Sequence, residues 1–381
     1  MKSLSYAAVV PAVLGGGMAL ADVPRVAVDI APVHGLVARV MQGVGSPDLV
    51  IPPGASPHGY SMRPSEALAL ERADAVFWIG EALTPWLEGP LDTLASDAHV
   101  TELLAVPGTM TLEFRTGATF EAHDHGDEHH GEEHHEEDHH EDEHADHAEG
   151  HDHGEHDDHD HEKHADHEEH DHEGHDHGAH EGHDHDAHDH DEHGHDEHDH
   201  DDHDDHEGHS HSGLDPHAWL APGNAEVWLM AIAEELSELD PENAATYKAN
   251  AKAGKAEIDA AIQEVDALLE PFRAQSFIVF HDAYQYFETS FEIAATGAIS
   301  LGDASDPSPA RIAEIRDDVA EYGVTCVFSE PQFNPGLVAT VLDGTAAKTV
   351  VIDPLGTKID TGPTFYTDLI KGLGKAMASC G

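Results

Sequence analysis

Short apolar runs alternate with segments of helical periodicity in two parts of the chain, before and after a long polar stretch. Before that stretch, strands are predicted at 25–30, 48–51, 75–79 and 100–104, with helices at 33–42, 64–72 and 83–94. In the second half, strands are predicted at 276–280, 293–298, 324–329 and 348–352, with helices at 283–289, 309–322, 335–342 and 365–377. Such alternation is typical of a parallel sheet covered by helices. The pattern therefore predicts two α/β lobes.

Two further helices are predicted after the polar stretch, at 224–239 and 243–269. The second is rich in Ala, Lys and Glu, and at 1.5 Å per residue it would span about 40 Å. This length exceeds what one small domain requires, so we expect a rigid helix that joins the lobes. The domains follow from these elements: an N-terminal lobe at 22–122 and 212–242, a linker helix at 243–271 and a C-terminal lobe at 272–381.

Residues 123–211 form the polar stretch, and their composition is strongly biased. They include 34 of the chain's 39 histidines and lack Val, Ile, Leu, Met, Phe, Tyr, Trp and Cys. Because this stretch has so little apolar surface to bury, we predict a disordered loop. Imidazoles and carboxylates bind zinc and similar divalent ions, so His-rich tracts indicate metal binding. An acidic, solubilising spacer is the alternative interpretation.

The first 21 residues have the pattern of a secretory signal peptide. Lys2 precedes an apolar run, and Ala-Leu-Ala at 19–21 is a small-residue cleavage site before Asp22. No later segment has the roughly twenty consecutive apolar residues that a transmembrane helix needs. We therefore expect a soluble protein that is exported to a bacterial periplasm.

Cysteine content and charge restrict the compartment and the partners. Cys326 and Cys380 are the two cysteines, and in an exported chain they predict a disulfide between a strand and the last helix. Two buried free thiols are the alternative. The formal net charge is −61, which disfavours nucleic acids and anionic membranes as partners and favours cations.

Four candidate metal ligands lie at places where ligands bind in α/β proteins. His58, His281 and Asp353 each follow a predicted strand, and His217 lies just after the His-rich stretch. Ligands bind beyond the carboxyl ends of strands in open parallel sheets. These side chains could therefore meet in one crevice between the lobes, where three imidazoles and a carboxylate or a water form a tetrahedral zinc site.

The local sequences around these residues resemble those of ZnuA-type zinc-binding proteins. These proteins are the periplasmic receptors of zinc ABC importers, within the family of metal-binding solute-binding proteins. The resemblance runs through 22–381 and rests on six motifs, which in chain order are GASPHGY at 54–60, RPS at 63–65, DPHAWL at 215–220, FHDAY at 280–284, FSEPQF at 328–333 and DPLG at 353–356.

The resemblance implies a fold, a site and a function. It implies two α/β lobes bridged by a long helix with the metal between them, which agrees with the pattern above. It also implies a disulfide between the two cysteines, and three ligands, His58, His217 and His281. The fourth position would belong to Asp353 or to a water. The implied function is a non-enzymatic receptor that passes Zn²⁺ to an ABC permease, with the His-rich loop as an auxiliary collector.

Several alternatives remain open at this point. Manganese receptors of this fold have two histidines and two carboxylates, so a third histidine favours zinc. A metal buffer or chaperone without a permease is possible, as is a zinc-dependent adhesin, although adhesins are usually tethered and we find no anchor. A metallohydrolase is disfavoured because the chain has no H-E-x-x-H helix. We expect a monomer that contacts the inner membrane only through its permease.

Other polar residues have weaker claims to a role. His34 is interpreted as a surface residue, with an auxiliary ligand as the alternative, and His99 as a surface residue. Asp215 and Asp282 could orient ligating imidazoles or cap nearby helices. Glu330 is expected to bind neighbouring backbone groups.

Overall fold

The computed structural model describes residues 23–115, 120, 213–300, 308–333 and 335–381. The predicted signal peptide and the predicted His-rich loop lie outside these ranges. The described residues all belong to one compact unit, which contains two α/β lobes. Within the described ranges, none of the helices has both the length and the apolar content to cross a bilayer.

The first lobe is built on a parallel sheet with the strand order β2-β1-β3-β4. Its strands are β1 (Val26–Val28), β2 (Asp48–Leu49), β3 (Ala75–Trp78) and β4 (His99–Glu102). Its helices are α1 (Ala31–Val40), α2 (Pro64–Glu71), α3 (Pro85–Leu94) and α4 (Pro222–Leu239). Each of these helices has a proline in its first turn, where the missing N–H costs no helical hydrogen bond. The central strands β1 and β3 are fully buried, as expected for a sheet covered on both faces.

The second lobe repeats this arrangement with the strand order β6-β5-β7-β8. Its strands are β5 (Phe277–His281), β6 (Gly297–Ser300), β7 (Cys326–Ser329) and β8 (Lys348–Val351). Its helices are α6 (Gln285–Phe291), α7 (Pro309–Glu321), α8 (Pro335–Leu342) and α9 (Phe365–Ala378). All strand pairs in both sheets are parallel. The predicted fold class is therefore confirmed.

A single long helix, α5 (Ala244–Leu269), connects the lobes. Its 26 residues correspond to a length of about 39 Å. It packs against α1 and α4 of the first lobe and against α9 of the second. A Cβ atom on Gly374 of α9 would lie 2.8 Å from Cγ1 of Val265, so the glycine is what allows α9 to approach α5 this closely. The helix is therefore packed into both lobes along its length.

One predicted strand, 293–298, is displaced in the structure. Helix α6 runs on to Phe291, whose ring packs 4.5 Å from that of Phe287. Glu292 then reverses the chain with a φ of 54°, and the amide of Ala295 donates to the carboxylate of Glu288 at 3.0 Å. These contacts occupy the start of the predicted strand, so β6 begins only at Gly297.

The predicted disulfide between Cys326 and Cys380 is confirmed. Cys326 is the first residue of β7 and Cys380 follows α9, and both are buried. Their Cα atoms lie 6.1 Å apart. The bond therefore ties the sheet of the second lobe to the helix that packs against the linker.

Candidate metal centre

Three histidines from different parts of the chain meet between the carboxyl ends of the two sheets. His58 lies in the loop after β2, His217 precedes the short 3₁₀ turn Ala218–Leu220, and His281 is the last residue of β5. One ring nitrogen from each lies within 4.8 Å of the other two. His217 and His281 are buried and His58 is half-buried. The predicted convergence of these three side chains is present.

The imidazoles of His217 and His281 face each other through their Nε2 atoms, which are 3.2 Å apart. Two nitrogens bound to one tetrahedral zinc at about 2.0–2.1 Å would be about 3.3 Å apart. The observed separation is therefore close to the edge of a zinc coordination tetrahedron.

Two buried carboxylates hold the opposite nitrogens of these rings. Oδ1 of Asp215 lies 2.7 Å from Nδ1 of His217 and also accepts the backbone N–H of His217 at 2.9 Å. Oε1 of Glu330 lies 2.9 Å from Nδ1 of His281, and its Oε2 accepts the side-chain amide of Gln332 at 2.8 Å. A carboxylate only accepts, so each Nδ1 carries the proton. Both Nε2 atoms then keep their lone pairs, directed at the space between the rings.

The position of Glu330 follows from the strand register. Strands β5 and β7 are paired with Val279 opposite Phe328. Two residues further on, this register brings His281 next to Glu330. Glu330 was expected to be a structural residue bonded to nearby backbone rather than a metal ligand; its carboxylate instead binds side chains and orients an imidazole.

Asp282 has neither of the roles that were predicted for it. Its carboxylate pairs with Arg115, whose Nε lies 3.1 Å from both carboxylate oxygens and whose Nη2 also donates to Oδ1. Burial raises the pKa of Asp282, and Arg115 partly offsets this increase. Sequence reasoning missed Arg115, since no local pattern connects it to a residue 167 positions away.

The three histidines line a pocket of about 210 Å³ with mostly apolar walls. The ring of His217 lies 5.2 Å from that of Trp219, and the ring of His281 lies 5.6 Å from that of Phe333. Trp219 in turn donates its Nε1–H to the carbonyl of Pro354 at 2.8 Å. These walls restrict the imidazoles to the orientations described and limit access of water.

Asp353 is engaged in its own turn and is not part of the group of three. Its Oδ1 accepts the backbone N–H groups of Leu355 and Gly356 at 3.1 and 2.9 Å. Its Oδ2 accepts the backbone N–H and the hydroxyl of Thr357 at 2.7 and 2.6 Å. Within the described residues, the metal-ligand group consists of the three histidines.

The two other described histidines lie apart from the site. His99 is exposed, and its Nδ1 lies 2.6 Å from Oε1 of Glu235. His34 is half-buried in α1, and burial lowers its pKa. Neither belongs to the group of three.

Comparison with known proteins gives consistent matches over the whole chain. The family model of the periplasmic zinc-uptake complex component A, ZnuA, matches residues 26–380. A high-affinity zinc uptake system protein ZnuA of Brucella abortus is 42% identical over 383 residues, covering 100% of this chain and 99% of that protein. One from Paracoccus denitrificans is 41% identical over 363 residues, covering 95% and 93%. A crystal structure of ZnuA has a TM-score of 0.62 at 19% identity, covering 94% and 99%.

Proposed function

We propose that this chain, which belongs to the ZnuA family of periplasmic zinc-uptake components, is a receptor that captures Zn²⁺ in the periplasm and delivers it to an ABC permease. The observation that carries the proposal is the pair of facing Nε2 atoms, 3.2 Å apart. The family and the named zinc-uptake relatives support the same cargo. Zinc is the transported substrate here, so the site has to bind it and release it.

We assign His58, His217 and His281 as the protein ligands. His217 and His281 are already held by carboxylates at the separation that zinc requires. His58 lies on a loop and is half-buried, and one of its ring nitrogens lies within 4.8 Å of a ring nitrogen of each of the other two histidines. Neutral imidazole ligands suit zinc, whereas manganese prefers sites rich in oxygen ligands. This donor set therefore favours a zinc receptor over a manganese receptor.

The fourth position belongs to Asp353 or to a water. A carboxylate has about four lone-pair sites, so the hydrogen bonds of Asp353 to its own turn leave its oxygens some capacity to bind a metal. If Asp353 is a ligand, Asp353→Asn should weaken zinc binding strongly. If a water occupies the position, this variant should bind zinc as the wild type does.

The His-rich segment, 123–211, serves in this proposal as an auxiliary collector of zinc. Its 34 histidines would hold several ions weakly and raise their concentration near the crevice. Imidazole binds a metal only when it is deprotonated. The zinc capacity of the segment should therefore fall as the pH drops through about 6.5.

A competitive zinc titration tests the proposal, using the mature protein without residues 123–211 and a chelator of known affinity. We expect one tight equivalent, which His58→Ala and His217→Ala each abolish. His99→Ala is the matched control, because this exposed histidine also has a carboxylate partner, and it should leave binding unchanged. Absence of a tight equivalent, or its persistence in the His217→Ala variant, would overturn the assignment.

A further inference from the structure

The guanidinium of Arg115 is buried in a cluster of charges beside the histidine pocket. Its side chain is 11% exposed. It binds two carboxylates at once, Asp282 as described above and Glu288 through Nη1 at 2.7 Å and Nη2 at 3.0 Å. Its Cζ atom also lies 3.8 Å above the centre of the Phe120 ring. The guanidinium therefore makes both kinds of contact that it favours, bidentate pairing with carboxylates and stacking on an aromatic ring.

The backbone that carries Arg115 is attached to the first lobe. The amide of Met110 donates to Oδ1 of Asn224 in α4 at 2.7 Å, and the carbonyl of Met110 accepts from Nδ2 of the same side chain at 2.9 Å. Further along, Phe114 donates its N–H to the carbonyl of Gly213 at 3.0 Å. Arg115 therefore extends from a segment that is fixed to α4.

Both carboxylates that Arg115 binds belong to the second lobe, and one is next to a histidine of the pocket. Asp282 directly follows His281. Glu288 lies in α6, and its Oε2 also accepts the amide of Ala295. The guanidinium thus links the first lobe to the backbone that positions the His281 ring.

A second route leads from the same helix to His217. The hydroxyl of Tyr286, in α6, accepts the N–H of Leu112 and donates to the carbonyl of Asp215, both at 2.8 Å. Asp215 in turn holds His217 through its Oδ1 atom. Helix α6 therefore binds Arg115 through Glu288 and binds Asp215, which orients His217, through Tyr286.

We propose that Arg115 is a positioning residue for the metal site, which sets the separation of the two facing imidazoles by fixing His281 and His217 to one cluster of charges. The inference rests on the proposed function, because it takes these imidazoles as ligands. The side-chain contacts of Arg115 described above are with Asp282, Glu288 and Phe120. Arg115 acts through Asp282 and Glu288, and a merely structural ion pair would stabilise the fold without changing the site.

Arg39 provides the matched control for a merely structural arginine. Its side chain is 10% exposed, and its Nε and Nη2 bind Glu257 at 2.8 and 3.0 Å. It joins α1 to α5 by donating to Glu257 and also donates to Gln42, and neither of these residues lines the histidine pocket. Arg39→Met therefore removes, from another place in the fold, a guanidinium that is similarly buried and that also binds a carboxylate through two of its nitrogens.

The experiment uses the intact chain and compares Arg115→Met, Arg115→Lys and Arg39→Met. Zinc affinity is measured by chelator competition, with free zinc buffered so that only the tightest site fills. The geometry of the site is read from the visible absorption spectrum of one bound Co²⁺, and stability from the melting temperature. Arg115→Lys keeps the positive charge between the two carboxylates but loses the planar set of five donors. Because these carboxylates stay paired with a cation, this variant is expected to fold even if Arg115→Met does not.

We expect Arg115→Met to weaken zinc binding by about tenfold to hundredfold, the usual effect of losing a group that orients metal ligands, and to change the Co²⁺ spectrum. Arg115→Lys should do both to a smaller extent. Arg39→Met should lower the melting temperature while affinity and spectrum stay as in the wild type. Equal zinc affinities and identical spectra for all three variants would overturn the inference.

His217→Ala, measured alongside, separates this inference from the proposed function. If His217→Ala abolishes tight binding and the Arg115 variants leave it intact, only the role of Arg115 is wrong. If His217→Ala itself leaves the tight site and its Co²⁺ spectrum unchanged, the proposed site fails and the inference with it.

Discussion

The two lobes have the same strand order, and each joins the carboxyl ends of its two central strands through one buried carboxylate. In the first lobe, Asp29 follows β1 and accepts the backbone N–H groups of Ile30 and Ile79, both at 2.7 Å. In the second lobe, Glu330 follows β7 and binds Nδ1 of His281 at the end of β5. Because β1 corresponds to β5 and β3 to β7, the carboxylate follows a different central strand in each lobe, and its donor is backbone in one lobe and imidazole in the other.

This difference shows how a structural contact acquires a function. A backbone N–H that binds a carboxylate has no second group to offer, so Asp29 stabilises only the fold. An imidazole that donates through Nδ1 still has Nε2 available for a metal. Glu330 therefore both stabilises the sheet and orients the His281 ring for metal binding. The comparison predicts that perturbing the first lobe changes stability alone, whereas perturbing Glu330 changes affinity.

The largest effect should come from the disulfide, a covalent tie that only the second lobe has, since the chain contains two cysteines. For a separation of 54 residues, the entropic model gives a stabilisation of about 4 kcal/mol. The double variant Cys326→Ala/Cys380→Ala should lose this amount of unfolding free energy in urea titrations of the zinc-free protein. Its zinc affinity at a temperature where it is folded should match the wild type. A loss of affinity in the folded variant would show that the tie also shapes the crevice.

A smaller effect is expected from Glu330→Gln, which keeps the shape of the side chain and removes its charge. Loss of a charged partner from a ligating imidazole should weaken zinc binding about tenfold, or about 1.4 kcal/mol. Asp29→Asn is the control, since it changes the buried carboxyl group that joins the two central strands of the first lobe through backbone N–H groups. Chelator competition should show no change of affinity for this control. Equal affinity losses in both variants would contradict the distinction between the lobes.

The smallest effect should be a pH dependence that originates in Asp29. Burial raises the pKa of Asp29 from 3.8 to about 7, so the folded state holds a proton that the unfolded state has released between these values. The group therefore stabilises the fold at lower pH, and this contribution falls by about 1 kcal/mol from pH 6 to pH 7.

Urea titrations at these two pH values measure the effect of Asp29. The difference in unfolding free energy between wild type and Asp29→Asn should be larger at pH 6 than at pH 7. A difference that is constant with pH would show that Asp29 is already ionised at pH 6.

The two α/β lobes with parallel sheets and the convergence of the three histidines could both be predicted from the sequence. Apolar runs such as 75–79 and 276–280 mark buried strands, because a strand covered on both faces has no polar positions. His58 and His281 follow predicted strands, which places them at the carboxyl edges of the sheets, whereas His217 was placed by the resemblance of its DPHAWL motif. These are local signals, and they need no knowledge of how distant segments pair.

Asp215, two residues before His217, was among the predicted candidates for orienting an imidazole, but the rest of the network around the imidazoles depends on such pairing and could not be predicted. Asp282 was the plausible partner for His281 because it is adjacent in sequence, whereas Glu330 was expected to bind neighbouring backbone groups. The register of β5 against β7 decides between them, and a register is not visible in either strand alone. Arg115 is similar, since its partners are 167 and 173 positions away. Predictions therefore succeeded for residues placed by their own segment and failed for contacts between segments.

The described residues on either side of the His-rich segment lie next to each other. Glu113 and Leu214 form an antiparallel bridge, and the N–H of Asp215 donates to the carbonyl of Leu112 at 2.8 Å. Closing a flexible loop becomes only slightly more costly as it lengthens, by about 0.6 kcal/mol for each doubling. Evolution can therefore lengthen or shorten the intervening sequence without redesigning the lobes. For the same reason, this junction is suited to the insertion of a fluorescent reporter domain.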